Sequence, residues 1–384
     1  MSKSKERPDA TVNRRDFLKK GATASVGAAA LAGACAQDAD GQGQRWDRET
    51  DIVIVGSGAS GLPAAIRARD LNASVIVVEE NFDIGGHGII SQGSVALGGG
   101  TSVQKKHGVK DSADQIYLEN TRPDHVHTRY ADRKVVRAFA DHNVETFEFL
   151  LANGVRFVDV RPMTIPAEGF LTPRRQTTYP WSQDLKETIN NTAGSGLMRA
   201  LEKSARAKGV EILLQHQMTR IVREKPTSGR VLGISVTNLE DDSTINIRAR
   251  QAVIACTGGA SSNLVIRTIY NPLLTEEYQV GCEPYSRQSG DAEQQGMAIG
   301  ASLGGTNNMR TESYLALVKP QWLGARYGYD RWKPGGPVFD KAGASGIPVQ
   351  DYQDLILVNM LGARFYDETV GVHLFNTDGN SDPV

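Results

Sequence analysis

The amino-acid sequence predicts an α/β fold in three parts: a βαβ unit, a small β-meander inserted before a late strand, and an α+β region that follows. Three observations carry this. Asp51-Ile52-Val53-Ile54-Val55 and Ser74-Val75-Ile76-Val77-Val78-Glu79 are nearly continuous apolar runs, the pattern of strands buried on both faces of a parallel sheet. Between them, Ser60 to Leu71 reads as a helix. Further on, short alternating runs near 210–215, 218–223, 230–237 and 244–249 read as the meander, and Gln251 to Ala255 as the late strand.

The remaining elements fall between these landmarks. Residues 37–49 are polar and rich in Gly, Gln and Asp, a linker, so order is expected from Asp51. Helices are predicted over 111–120 and 131–153, the second carrying Val135, Val136, Phe139, Val144, Phe147, Phe149, Leu150 and Leu151. Residues 155–194 are rich in Pro and Arg with little periodicity, and read as a long surface excursion. There Arg174, Arg175, Tyr179 and Trp181 read either as surface packing and solvated charge or as the lining of a substrate mouth. Helix returns at 196–208, and a last clear helix runs from Asp291 to Ala301.

Composition narrows the classes. With 384 residues there is room for more than one core. The 43 Lys and Arg balance 44 Asp and Glu to a net charge of −1, which gives no sign of nucleic-acid binding. No run in the body of the chain approaches the ~18 apolar residues of a membrane span. His125, His127 and His142 lack metal-ligand spacing, and no C-x-x-C-H for covalent haem occurs.

Residues 1–36 read as a targeting segment. Asn13-Arg14-Arg15-Asp16-Phe17-Leu18-Lys19 resembles a twin-arginine signal, followed by a small-residue stretch from Gly21 to Ala34 and a cleavage pattern at Ala34-Cys35-Ala36. The resemblance implies export of a folded, cofactor-loaded protein to the periplasm or another extracytoplasmic space. Cys35 could instead carry a lipid anchor.

The chemistry concentrates in Gly56-Ser57-Gly58-Ala59-Ser60-Gly61, between the first strand and the first helix, with Glu79 ending the next strand. Gly56 permits the tight turn, Gly58 lets backbone approach a pyrophosphate, and Gly61 lets helix and strand pack closely. Phosphates then sit on the helix N-terminus, where free N–H groups and the dipole favour negative charge. Glu79 is placed to accept from ribose hydroxyls.

Ile84-Gly85-Gly86-His87 follows the second strand, Ala255-Cys256-Thr257-Gly258-Gly259 follows the meander, and Gly290-Asp291-Ala292 opens the last helix. With Leu357-Val358-Asn359 and Gly362-Ala363-Arg364-Phe365, these motifs resemble the flavoprotein family of fumarate reductases, succinate dehydrogenases and 3-ketosteroid dehydrogenases. The resemblance implies a two-dinucleotide-binding, Rossmann-like FAD domain over 50–261 and part of an α+β capping domain over 262–384. It implies FAD as cofactor, with Gly56, Ser57, Gly58, Ala59, Ser60, Gly61, Glu79, Gly86, His87, Gly258 and Asp291 about it. Met218 falls where the family's backbone meets the adenine. At His87, membrane-bound relatives carry a histidine joined covalently to the flavin; a hydrogen bond near the cofactor is the other reading.

The family's dicarboxylate enzymes have a His-Pro-Thr pattern and a Thr-Glu-x-x-Arg-Gly pattern where this chain has Thr311-Glu312-Ser313-Tyr314-Leu315 and Ile347-Pro348-Val349-Gln350-Asp351-Tyr352. The cations that would clamp a carboxylate are missing there. Family members also continue past the polar tail Asp378 to Val384, which raises the expectation of a truncated reading frame or a second polypeptide completing the cap. The resemblance implies hydride transfer between flavin and an activated carbon–carbon bond of a small-molecule substrate, with a separate electron donor or acceptor. A non-catalytic FAD-binding subunit and a fumarate-type reductase are the alternatives, and no catalytic residue is assigned.

Overall fold

The computed structural model describes residues 43–91, 93–123, 128, 131–164, 171–179, 193–272, 274–276, 286–304, 325–327, 347–349 and 363–364. The targeting segment, Cys35, His125, His127, Trp181 and the 311–315 stretch lie outside them.

A six-stranded sheet organises the chain. Its strands are β1 (Arg48–Val55), β2 (Val75–Val78), β5 (Glu211–Leu213), β6 (His216–Lys225), β7 (Ser228–Asn238) and β8 (Thr244–Ala255), in the order β5-β2-β1-β8-β7-β6. The first four are parallel; β8, β7 and β6 run antiparallel. β1 lies between β2 and β8, with Ile54 opposite Val77 on one side and Ile254 on the other. That position explains its composition. Ile54, Val75 and Val77 enter one core, with Leu62 and Ile66 of α1 (Gly61–Asp70) and Met198 and Leu201 of α6 (Ala193–Ala207). Val53, Val55, Ile76 and Val78 enter the other, with Met218, Ile234 and Ile247 from the meander. Each such aliphatic side chain withdraws enough surface to stabilise the fold by about 1.5–3 kcal/mol.

The meander differs from its expected form in two ways. β5 is not part of it: it pairs parallel with β2 at the far edge, Ile212 beside Val77. β8 is one strand of 12 residues rather than two. The polar stretch that suggests a break is an exposed ion ladder across the parallel pair. Arg250 reaches Glu49 at 2.9 Å and Asp51 at 2.8 Å, and Arg248 reaches Glu49 at 3.3 Å. The same ladder extends β1 back to Arg48, three residues before the apolar run.

Beyond the sheet come α2 (Gly86–Ile90), β3 (Ser94–Ala96), α3 (Ser102–Lys106), α4 (Ala113–Glu119), α5 (Arg133–Ala152), β4 (Arg175–Thr177), α7 (Leu264–Tyr270) and α8 (Asp291–Ala298). The short strands β9 (Ala325–Tyr327) and β10 (Ile347–Val349) pair parallel with each other. α4 and α5 match the predicted helices to within two residues at each end. α2, α3 and α7 are too short to show periodicity. Asp132 starts α5 by accepting from the Lys134 and Val135 N–H groups, and Thr101 with Gln104 forms a capping box on α3.

The expected surface excursion is partly interior. β4 pairs antiparallel with β3, and Arg174, Gln176 and Thr178 are buried. Arg174 is therefore neither solvated charge nor a substrate contact. Its guanidinium grips Asp111 in two bonds of 2.8 and 2.7 Å and Glu119 in a third. Gln104 and the Gly99 N–H complete the Asp111 shell. Asp111 is held below the usual carboxylate range by these bonds, which outweigh its burial. Arg174→Ala leaves two buried carboxylates uncompensated and is expected to cost about 3–5 kcal/mol. Denaturant unfolding checks this, and a loss below about 1 kcal/mol would contradict the assignment of Arg174 as a buried clamp.

Candidate functional site

The site forms where β1 turns into α1. Gly56 has φ +96°, and a Cβ there would stand 2.3 Å from the Cys256 carbonyl oxygen. A Cβ on Gly61 would stand 1.9 Å from the Gly56 oxygen. Both positions admit only glycine, because β1, β8 and the start of α1 pack backbone against backbone. Gly58 is different: a Cβ there meets nothing within 4 Å. Its missing side chain opens a surface in front of the helix start, where Ala59 and Ser60 are exposed and Ser60 makes no capping bond. N–H groups at the mouth of α1 are thus available to an anion.

The acid follows from the same turn. Glu79 is buried, and its Oε2 accepts from the Ser57 N–H at 2.8 Å and the Ser57 hydroxyl at 2.6 Å, while Oε1 accepts from the Asn81 N–H at 3.0 Å. A carboxylate offers about four acceptor positions, so this one keeps capacity for a sugar hydroxyl. Ser57 is fully buried and its hydroxyl also accepts from the Gly85 N–H at 3.2 Å. Its side chain ties the turn to Glu79 and to the Gly-Gly segment, and is not itself presented to a ligand.

Gly85 and Gly86 both adopt positive φ, +99° and +47°, and Gly86 has only the Ser286 hydroxyl within 4 Å of a built Cβ, at 3.6 Å. His87 is fixed between two partners. The Gln288 amide donates to Nδ1 at 3.0 Å, which places the ring proton on Nε2, and Nε2 donates to the Ser286 carbonyl at 3.2 Å. Gln288 is in turn held by the Ser261 hydroxyl at 2.7 Å.

Gly258 has φ +83° and an open Cβ side facing Gln288. Thr257, beside it, was not singled out by sequence. Its hydroxyl is buried and has no hydrogen-bond partner among the described residues, an arrangement that a bound group can complete. The Ala-Cys-Thr-Gly-Gly turn held the signal, since it brings the Thr257 hydroxyl beside a backbone that already touches Gly56. Burial pushes the neighbouring Cys256 thiol up, so it stays protonated and weakly reactive.

Met218 and Asp291 lie on the adjacent elements. Met218 spends its side chain on the second core; β6 is the sheet's edge strand, so one side of its backbone pairs with no strand. Asp291 opens α8 behind Gly290, whose φ is +73°, and accepts from the Gln217 amide at 3.0 Å. Of the expected metal-free histidines, His142 is exposed and 3.2 Å from Glu145. Among the described residues no cluster of His, Cys, Asp or Glu could hold a metal ion, and no helix is long and apolar enough to cross a membrane.

An open glycine at the mouth of a helix, an orphaned hydroxyl in the turn that packs on Gly56 and a buried acid with spare acceptors fit a dinucleotide. The model of one family, described as an FAD binding domain, matches residues 51–355. The chain belongs to this FAD-binding family. Its cofactor is FAD. It is 28% identical over 297 residues to the acrylate reductase flavoprotein subunit of Shewanella woodyi, covering 76% of this chain and 54% of that one. It is 31% identical over 208 residues to the 3-oxo-5-alpha-steroid 4-dehydrogenase of Comamonas testosteroni, covering 50% of this chain and 38% of that one. The fold is similar to the crystal structure of a 3-ketosteroid-Δ4-(5α)-dehydrogenase from Rhodococcus jostii RHA1, with a TM-score of 0.59 at 24% identity, over 70% of this chain and 57% of that one. The chain thus spans about half the length of these relatives.

Gly58→Val fills the open side with a branched side chain. Losing two hydrogen bonds to a charged diphosphate costs about 3 kcal/mol or more, roughly a hundredfold in affinity. Flavin absorbance of the purified variant is expected to fall to background while its fold is kept; unchanged flavin content would contradict the cradle.

Proposed function

We propose that this chain is an exported, FAD-dependent oxidoreductase that moves a hydride between flavin and a carbon–carbon bond activated by a neighbouring electron-withdrawing group. The observation that carries the reading is the FAD cradle at Gly58, Thr257 and Glu79. Bound FAD supplies two-electron hydride chemistry. The chain's own residues bind and orient it. The α1 mouth and Gly58 take the diphosphate, Glu79 takes ribose hydroxyls, and Gly86 and Gly258 leave room for close approach. Relatives named for acrylate, urocanate and 3-oxosteroid substrates support an alkene conjugated to a carbonyl or ring. The name flavoprotein subunit, given to one of them, supports a separate electron partner.

With reduced viologen as donor, the FAD-loaded chain is expected to reduce an activated alkene such as acrylate or a 3-oxosteroid enone, and to leave fumarate at background. Flavin that is bleached by dithionite yet turns over none of these would favour the non-catalytic subunit instead.

His87 is proposed to hold FAD without a covalent bond, since both ring nitrogens are engaged, by Gln288 and by Ser286. Acid denaturation is expected to release all flavin into the supernatant; a fluorescent protein band lost in His87→Ala would contradict this.

Export rests on Arg14-Arg15 and Phe17-Leu18. Replacing both arginines with lysine is expected to trap the precursor in the cytoplasm, and normal periplasmic accumulation of that variant would refute the route.

A further inference from the structure

Two turns flank the phosphate turn Gly56 to Gly61. On one side the Gly85 N–H donates to the Ser57 hydroxyl at 3.2 Å. On the other, the turn after β8 packs backbone on backbone, with the Cys256 carbonyl oxygen 2.3 Å from a Cβ built on Gly56. A third segment, 286–290, arrives from beyond α7 and is sewn onto the turn after β8. The Gln288 N–H donates to the Ser262 hydroxyl and the Ser262 N–H to the Gln288 carbonyl, both at 2.9 Å. The Gly290 N–H donates to the Gly259 carbonyl at 3.1 Å, and the Ser261 hydroxyl to the Gln288 side-chain oxygen at 2.7 Å. A Cβ on Gly290 would stand 2.8 Å from the Ala260 Cβ, so the two segments pack as one unit.

That unit meets the Gly-Gly turn at one imidazole. His87 accepts from the Gln288 amide at 3.0 Å and donates to the Ser286 carbonyl at 3.2 Å. The contacts thereby run in a closed circuit about the mouth of α1. It passes from Ser57 to Gly85, from His87 to the 286–290 segment, from there to the turn after β8, and back to Gly56. The turns after β1, β2 and β8 are held side by side by the sheet, where these strands are neighbours. The His87 join rests on half-buried side-chain hydrogen bonds between residues about 200 positions apart, and is where the circuit opens at least cost. A dinucleotide is bulky at both ends and narrow at its diphosphate, so a circuit closed about the waist lets neither end pass. We infer that His87 and Gln288 form a clasp that opens for FAD to enter or leave the cradle. The clasp then sets the rates of exchange more than the affinity. This rests on the FAD reading above.

The test mixes FAD with the flavin-free full chain in a stopped-flow instrument and follows flavin fluorescence; an excess of a flavin-scavenging apoprotein traps what dissociates. His87→Ala removes the ring, and Gln288→Met keeps the length and bulk of its side chain while removing the amide. Losing hydrogen bonds of ordinary net strength is expected to speed both association and dissociation roughly tenfold in each variant. Kd is expected to stay within about threefold of the parent value, because both rates rise together. The double variant is expected to be no faster than either single one, since the two residues make one clasp. Association that is unchanged or slower in Gln288→Met overturns the clasp and leaves the pair as a support of the cradle. Rate gains that multiply in the double variant overturn it too, by showing two separate contacts. FAD that fails to bind the parent chain brings down the cofactor assignment itself, and the clasp with it.

Discussion

The bonds from Ser57 to Glu79 hold the rest of the site in place. One residue of the turn after β1 clamps the acid after β2 through its backbone N–H and its hydroxyl, both on one carboxylate oxygen. The same hydroxyl receives the Gly85 N–H. The phosphate-binding turn, the ribose acid and the Gly-Gly turn therefore share a single buried serine. The bonds form because Gly56 and Gly61 let β1, β8 and α1 approach at backbone distance. A side chain at either glycine would spread the three elements and pull Ser57 away from Glu79.

Around that centre the chain separates packing from binding. Gly56 and Gly61 are glycine because neighbours fill the space a side chain would need; Gly58 faces room that the protein leaves open, and Gly86 and Gly258 adopt the positive φ that glycine favours, beside Ser286 and Gln288. The Thr257 hydroxyl, buried and without a hydrogen-bond partner among the described residues, lies in the turn that follows β8. Arg174 neutralises Asp111 and Glu119 inside the fold.

Much of this was legible in the sequence because it depends on local backbone rules. The apolar runs gave β1 and β2, since strands covered on both faces admit no polar alternation. The glycine spacing and Glu79 located the cradle, because a tight turn and a close helix start constrain residue type directly. What was missed depends on partners far away in the chain. Arg248 and Arg250 look like a break until Glu49 and Asp51 are placed beside them in register. Arg174 looks like surface charge until Asp111, 63 residues earlier, is brought to it. His87 gains its tautomer from Gln288, 201 residues away. Gly258 was read and Thr257 was not, because an unpaired hydroxyl is visible only when its surroundings are known.

The central claim is that FAD lies across Gly58 with its adenosine ribose on Glu79. A crystal structure of the purified chain grown with FAD tests it most directly. The account predicts density for the diphosphate at the mouth of α1 and ribose hydroxyls within hydrogen-bond reach of the Glu79 carboxylate, with the Ser57 bonds intact. A diphosphate seated away from the α1 mouth, or a ribose with no contact to Glu79, would contradict it.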